Sequence, residues 1–322
     1  MVAADTLLAR GSATFSGICS AAISGIPSGA AAAVIGAGTS LGAPHRGAEN
    51  GPHFLRTLSK HYTWSAQEPS IWEIDRGRIP LERAVDVGDV VTADGTLDGV
   101  LAALRSTVLA LPPAVRPCVI GGDHSITLPV VQALQQRRQA PFTVVQFDHH
   151  LDLQIWEGRM GAERDAIFHT NVMSHVSDVV GPGRLVQIGI APHATLEASN
   201  APAMVHYLRS VGRQISLLAP ELGDASAFQQ ALGRDGDVYL TVDVDVLDSS
   251  AMSTTGYPAP IGLSVRELLR NIDLTLQHNR LIGFDVVEFG APKECREAKA
   301  LADGGRAALV FQHLLSWACR QA

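Results

Sequence analysis

What this chain lacks narrows its possibilities first. Its four cysteines, Cys19, Cys118, Cys295 and Cys319, lie far apart with no CxxC pair. That gives no signature of a disulfide framework or thiol metal site, and most of them read as reduced core thiols. No apolar run reaches the roughly 18 residues that a membrane span needs. The first 36 residues are rich in Ala, Ser and Gly and carry Arg10 as their single basic residue. A secretory signal would want a more basic start and a denser apolar block, so a cytoplasmic location is expected. Excess positive charge is missing too: the formal net charge is -7. That disfavours nucleic acid and anionic membrane as partners, both of which want basic patches. It suits a small cationic ligand. Internal repeats, long linkers and runs of like charge are also missing, which favours a single domain for 322 residues.

What is present is an alternation. Short runs rich in Val and Ile recur at 31–37, 116–122, 142–148, 184–190, 237–245 and 280–288. Between several of them, apolar residues fall at helical spacing, as in 96–111, 126–139, 264–277 and 306–321. Near-continuous apolar strands alternating with helices predict an α/β fold with a mostly parallel sheet covered on both faces. In such sheets ligands bind beyond the carboxyl ends of the strands. This chain places polar residues at three of those ends.

The first is VIGGDHSI, where a strand ends at Gly121-Gly122 and Asp123 and His124 enter the turn before a helix that Ser125 could cap. In VVQFDHHLDLQ, the second, Asp148, His150 and Asp152 share one face of an extended backbone, about 6.6 Å apart in succession. His149 points the other way and reads as a buried packing histidine. YLTVDVDVLD is the third. Its Asp243 and Asp245 share a face at the end of a core strand, and Asp248 reads as a residue that fixes the following loop. Carboxylates forced side by side in a core repel unless protons or a cation neutralise them.

Together the three stretches offer His124, Asp148, His150, Asp152, Asp243 and Asp245. Four carboxylates and two imidazoles exceed a tetrahedral zinc centre. They suit two octahedral-leaning divalent ions, Mn²⁺ above Zn²⁺, with Ni²⁺ or Fe²⁺ as alternatives. Two such ions can hold a water as hydroxide near neutral pH, a nucleophile strong enough for a poor electrophile.

The same motifs, GGDHS, DHHLD and DVDVLD in this order and spacing, resemble the ureohydrolase family of arginases and agmatinases. The resemblance extends to IGAGTSLGAPHRGAENGPHFLR (35–56), TTGYPAPIGLS (254–264) and GFDVVEFGAP (283–292). It implies a three-layer α/β/α fold with a central, mostly parallel sheet, assembled as a homo-trimer or homo-hexamer. Two Mn²⁺ would hydrolyse the guanidino or amidino group of a small cationic substrate, releasing urea. By motif position, His124, Asp148, Asp152 and Asp243 would hold one ion. Asp148, His150, Asp243 and Asp245 would hold the other, with Asp148 and Asp243 bridging. Glu288 matches the glutamate that holds the guanidinium, and His169 the histidine that shuttles a proton to the leaving amine. Residues 1–30 are then expected as an N-terminal extension packing on or between subunits, and 31–322 as one catalytic domain.

The pattern also departs from the family. His149 replaces the Ala of DAHxD, Tyr257 the second Thr of TGTP, and EFGAP the segment E-[VI]-N-P. Pro192 and His193 stand where arginases place an acidic residue, and AIF (166–168) replaces SGN. These changes argue against L-arginine and for an agmatinase-like or specialised guanidino hydrolase. Gln154, Trp156, Asn171 and Tyr257 are the candidates for lining the rest of the substrate site. Two other readings compete: a single-zinc deacetylase-like amidohydrolase, and a metal-binding homologue without turnover.

Overall fold

Six strands form at the Val- and Ile-rich runs and six more outside them, and the computed structural model describes residues 4–11, 13–60, 70–74, 77–153, 166–193 and 201–321. In chain order they are β1 (Leu8–Ala9), β2 (Cys19–Ser20), β3 (Ala32–Ala37), β4 (Ser70–Glu73), β5 (Gly77–Pro80) and β6 (Ala84–Val90). Beyond these come β7 (Arg116–Gly121), β8 (Thr143–Phe147), β9 (Leu185–Ile190), β10 (Gly212–Ser216), β11 (Asp237–Asp243) and β12 (Arg280–Val287). The main sheet runs β1-β6-β3-β7-β12-β11-β8-β9-β10, with β2 also pairing with β6. Only β1 enters it antiparallel. β4 and β5 form a separate antiparallel pair.

Eight helices join these strands among the described residues: α1 (Gly51–Ser59), α2 (Leu97–Ala110), α3 (Thr127–Arg138) and α4 (Val172–Val180), then α5 (Ala201–Val211), α6 (Ala225–Leu232), α7 (Val265–Leu276) and α8 (Ala298–Arg320). Strand side chains alternate between two cores. Val144 and Tyr239 face α2, α3 and α4, while Val145, Leu240 and Phe284 face α1, α6, α7 and α8. The α/β fold with a covered, mostly parallel sheet is therefore the one the alternating pattern predicts.

Before β3 in the chain, β1 and β2 both pair with β6. Phe15 is fully buried and packs on Phe311 of α8, ring centroids 4.6 Å apart.

A polar row interrupts the apolar face toward α2, α3 and α4. Gln214, Gln187, Gln146, Thr241 and Asp285 are successive register partners across β10, β9, β8, β11 and β12. Buried amides need partners, and these find them in one another. Gln214 Nε2 donates to Gln187 Oε1 (3.2 Å), and Gln187 Nε2 to Gln146 Oε1 (2.6 Å). Gln146 Nε2 then donates to Asp148 Oδ2 (2.6 Å). The row leads to the carboxyl ends of the central strands.

Candidate metal centre

Each ligand candidate sits just past a strand, held by a local device. β7 ends at Gly121, and Gly122 passes so close to the β3 loop that a Cβ there would lie 2.0 Å from the Thr39 carbonyl oxygen. Only glycine fits. Asp123, not Ser125, caps the next turn, accepting from Ser125 N at 3.1 Å. A carboxylate at this position satisfies the orphan amides of the helix start. It also accepts from Gly42 N at 2.9 Å, tying the 39–42 loop to the site. His124 follows, fully buried. Its Nε2 lies 2.9 Å from Thr241 Oγ1, which donates to Asp285 Oδ1 at 2.5 Å. Asp285 also accepts from Tyr239 OH and Thr127 Oγ1. That chain fixes the imidazole with Nδ1 turned to the site.

The spacing of Asp148, His150 and Asp152 is realised differently from the extended backbone expected. β8 stops at Phe147, and residues 148–153 form a loop in which Asp152 has a φ of 49°. Likewise β11 stops at Asp243, and Asp245 sits in a short helical turn, Val244–Val246, that the Asp243 side chain caps. Loop curvature, rather than strand alternation, brings the carboxylates together. Glu288, one residue past β12, has a φ of 65°. A left-handed backbone is costly for glutamate and marks a site where the surroundings over-determine the conformation.

The geometry converges on two points. His124 Nδ1 lies 2.9 Å from Asp152 Oδ2, 3.2 Å from Asp148 Oδ2 and 3.4 Å from Asp243 Oδ2. Yet it is buried with no aligned hydrogen-bond partner. A buried nitrogen ringed by carboxylate oxygens and bonded to none of them fits a cation at the centre of the ring. Next to it, His150 Nδ1 lies 3.0 Å from Asp245 Oδ2 and 3.7 Å from Asp148 Oδ1. Among the described residues, two sets could thus hold a metal ion: His124, Asp148, Asp152 and Asp243, and Asp148, His150 and Asp245. Asp148 belongs to both, and Asp243 groups with the first alone.

Electrostatics describe the same crowding. Burial, with Asp152 and Asp245 alongside, pushes Asp148 up to about 7. Burial, with Asp245 and Asp148, raises Asp243 well above the usual carboxylate range. His150 is raised to about 9: burial opposes its charge, and Asp245 outweighs burial. Protons here offset a negative charge that a divalent ion would offset better.

A pocket of about 300 Å³ opens on this cluster, lined by His150, Asp152, His169, Thr170, Asp243, Asp245, Thr255, Tyr257 and Glu288. His169 Nδ1 lies 3.3 Å from Glu288 Oε1, whose other contact is the His124 main-chain N at 2.8 Å. Burial works against the charged form of His169, but Glu288 raises its pKa. Tyr257 stacks on His169 at 6.1 Å with 19° between planes, and His45 meets its edge at 4.8 Å.

Asn171 stands outside the pocket lining. Its Oδ1 accepts from Phe168 N at 2.8 Å and its Nδ2 donates to Ala166 O at 2.9 Å, so it shapes the loop carrying His169. Gln154 and Trp156 lie outside the described residues. His149 is nearly buried, its ring edge against His150 at 5.2 Å, and it belongs to neither metal set. Asp248 accepts from Ser250 N at 2.9 Å and turns its loop. Thr255, Thr170 and His45 escaped the sequence reading. Their only signal was adjacency to the TTGYP and APHRG stretches and to His169.

Comparison with known proteins now decides the family. The arginase family model matches residues 30–309. The chain belongs to the arginase family. It is 28% identical over 262 residues to N(1)-aminopropylagmatine ureohydrolase of Thermococcus kodakarensis, covering 79% of this chain and 82% of that protein. It is 30% identical over 276 residues to proclavaminate amidinohydrolase of Streptomyces clavuligerus, covering 81% of each. A solved structure of the latter enzyme superposes with a TM-score of 0.75 at 26% identity, over 97% of this chain and 99% of that one. The arginase-like α/β fold is thereby established, and the chain is a hydrolase of the amidinohydrolase class. No helix among the described residues is long and apolar enough to cross a membrane.

Proposed function

We propose that this arginase-family chain hydrolyses the guanidino or amidino group of a small cationic substrate, releasing urea and an amine. One observation carries the reading. The buried, unpartnered His124 Nδ1 faces three carboxylate oxygens, in a cluster that shares Asp148 with His150 and Asp245. His124, Asp148, Asp152 and Asp243 would hold one divalent ion, and His150, Asp245 and Asp148 a second. Mn²⁺ suits this donor set, with Ni²⁺ or Fe²⁺ as alternatives. Two such ions supply Lewis acidity and a water of lowered pKa.

The chain's own residues do the rest. Glu288, a carboxylate in the pocket wall beside His169, would pair with the guanidinium and turn its carbon toward the metal cluster. His169, whose charged form Glu288 favours against burial, would hold a proton at the imidazole that the departing nitrogen can take as its bond to that carbon breaks. Tyr257 narrows the entrance with an aromatic face, which a cation favours. Together with Pro192 and His193 in place of an acidic residue, it supports an agmatinase-like or specialised guanidino substrate over L-arginine. A homo-oligomer and a cytoplasmic location accompany this reading.

The test is urea release from agmatine, 4-guanidinobutyrate and L-arginine by Mn²⁺-reconstituted protein, with metal counted per chain. Two metals per chain and loss of essentially all turnover in Asp148→Ala are expected. One zinc per chain with cleavage of acyl amides would favour the deacetylase-like reading. Bound metal without amine release from any compound would favour a non-catalytic homologue, and L-arginine as the best substrate would overturn the assignment of specificity.

A further inference from the structure

A second cavity lies at the opposite end of the sheet, where the strands begin. It encloses about 750 Å³ and is lined by Arg83, Arg116, Arg137, Arg138 and Arg280. That volume lies within the range of small-molecule sites. The arginines come from four separate stretches of chain. Arg116 and Arg280 open β7 and β12, Arg137 and Arg138 close α3, and Arg83 precedes β6.

Their charge is only partly answered. Asp237, at the start of β11, pairs with Arg138 and, through two hydrogen bonds of 2.6 and 2.8 Å, with Arg280. Arg116 instead donates to the main-chain carbonyls of Leu281, Ala318 and Gln321. Arg137 donates to those of Val108, Pro112, Pro113 and Val115. Neither meets a carboxylate among the described residues. Carbonyls orient a guanidinium without neutralising it, and a half-buried charge left so is costly. In agreement, burial, with Arg280 and Arg83 near, lowers the pKa of Arg116, and burial beside Arg138 lowers that of Arg137. Arg138 Nε is buried with no hydrogen-bond partner, a donor left over. This positive excess stands in a chain whose formal net charge is -7, so it does not follow from composition.

The rest of the wall is apolar, including Leu134, Leu281 and Ile282. Planar guanidinium forks match phosphate oxygens, and an apolar wall suits an organic body attached to them. We infer that this cavity binds an organic phosphate carrying at least two negative charges. The inference is independent of the substrate read for the metal centre.

Titration calorimetry of the full-length, metal-loaded protein tests it, with inorganic phosphate and ATP as separate probes. ATP should bind saturably and more tightly than inorganic phosphate, and more weakly as salt rises. Arg280 is largely exposed, so Arg280→Gln should preserve the fold, checked by its melting temperature. Arg280→Gln and Arg280→Glu should weaken ATP by at least about tenfold, the value of one charge-assisted hydrogen bond. Heats unchanged in both variants would mean that ATP is acting elsewhere, for example on the bound metal, and would overturn the site. Equal affinity for phosphate and ATP would overturn the organic body, and no saturable heat would overturn the proposal entirely.

Discussion

His124 shows how much one side chain depends on what stands behind it. Its Nδ1 faces the carboxylates, and its Nε2 is held by Thr241, itself held by Asp285. Removing the hydroxyl leaves the imidazole free to turn and leaves a buried ring nitrogen without a partner. Thr241→Val should therefore lower metal affinity by roughly 10–100-fold, the usual cost of losing such a support. Competition with a metal-sensitive chelator dye reads this directly, and unchanged affinity would show that Thr241 only packs. Five of the six ligand candidates were legible because carboxylates and a histidine at two-residue spacing in apolar surroundings need a shared purpose, and His124 from its place in the GGDHS turn after a strand. Tyr257 was read as a lining residue, while Thr255, Thr170 and His45 were not. Their meeting depends on where separate loops cross, which no local spacing records.

At the scale of elements, β3, β7, β8, β9, β11 and β12 were legible, while their ends, the more polar β6 and β10 and the short β1, β2, β4 and β5 were not. Val and Ile runs predict where β8 and β11 lie, but both strands stop before the spacing of their aspartates is complete. Asp148, His150 and Asp152 converge through a loop with a left-handed residue, a conformation that pattern alone does not announce. The glycine turn was legible for the opposite reason: Gly121-Gly122 mark a place where a side chain cannot fit. Gly122→Ala would set a methyl 2.0 Å from the Thr39 main-chain oxygen, where no side chain can yield. A loss of about 3 kcal/mol is expected from such overpacking. It would be seen as a lower denaturation midpoint with His124 displaced from its ring of carboxylates. A variant with unchanged midpoint and metal affinity would refute this account of the turn.

For the whole molecule, the acidic cluster makes stability depend on pH and metal together. Asp148, raised to about 7, is protonated more readily in the native state than in the unfolded one. Its contribution is full below the ordinary carboxylate value of 3.8 and is lost as pH rises to about 7. His150, raised from 6.5 to about 9, loses its contribution across that interval in the same direction. Asp245 is depressed below 3.8 because His150, opposing burial, holds its charge, so its contribution is present above 3.8 and is lost only as pH falls further. The metal-free protein should thus melt at falling temperatures as pH rises toward 9, while saturating Mn²⁺ should raise the melting temperature most at the alkaline end. A metal-free melting temperature that climbs over this range would contradict the assignment. The arginine-lined cavity was hidden in the sequence at this same scale, because residues 83, 116, 137, 138 and 280 form no run of charge. Finally, the row of glutamines under the sheet is a one-way street. From Gln214 through Gln187 and Gln146, each amide gives a hydrogen toward Asp148, and Gln187 and Gln146 each accept from the neighbour farther from it. One amide turned end for end would set oxygen against oxygen at the next link. The carboxylate at the active end therefore dictates how side chains lie two strands away, and the far edge of the sheet keeps a compass bearing on the candidate metal centre.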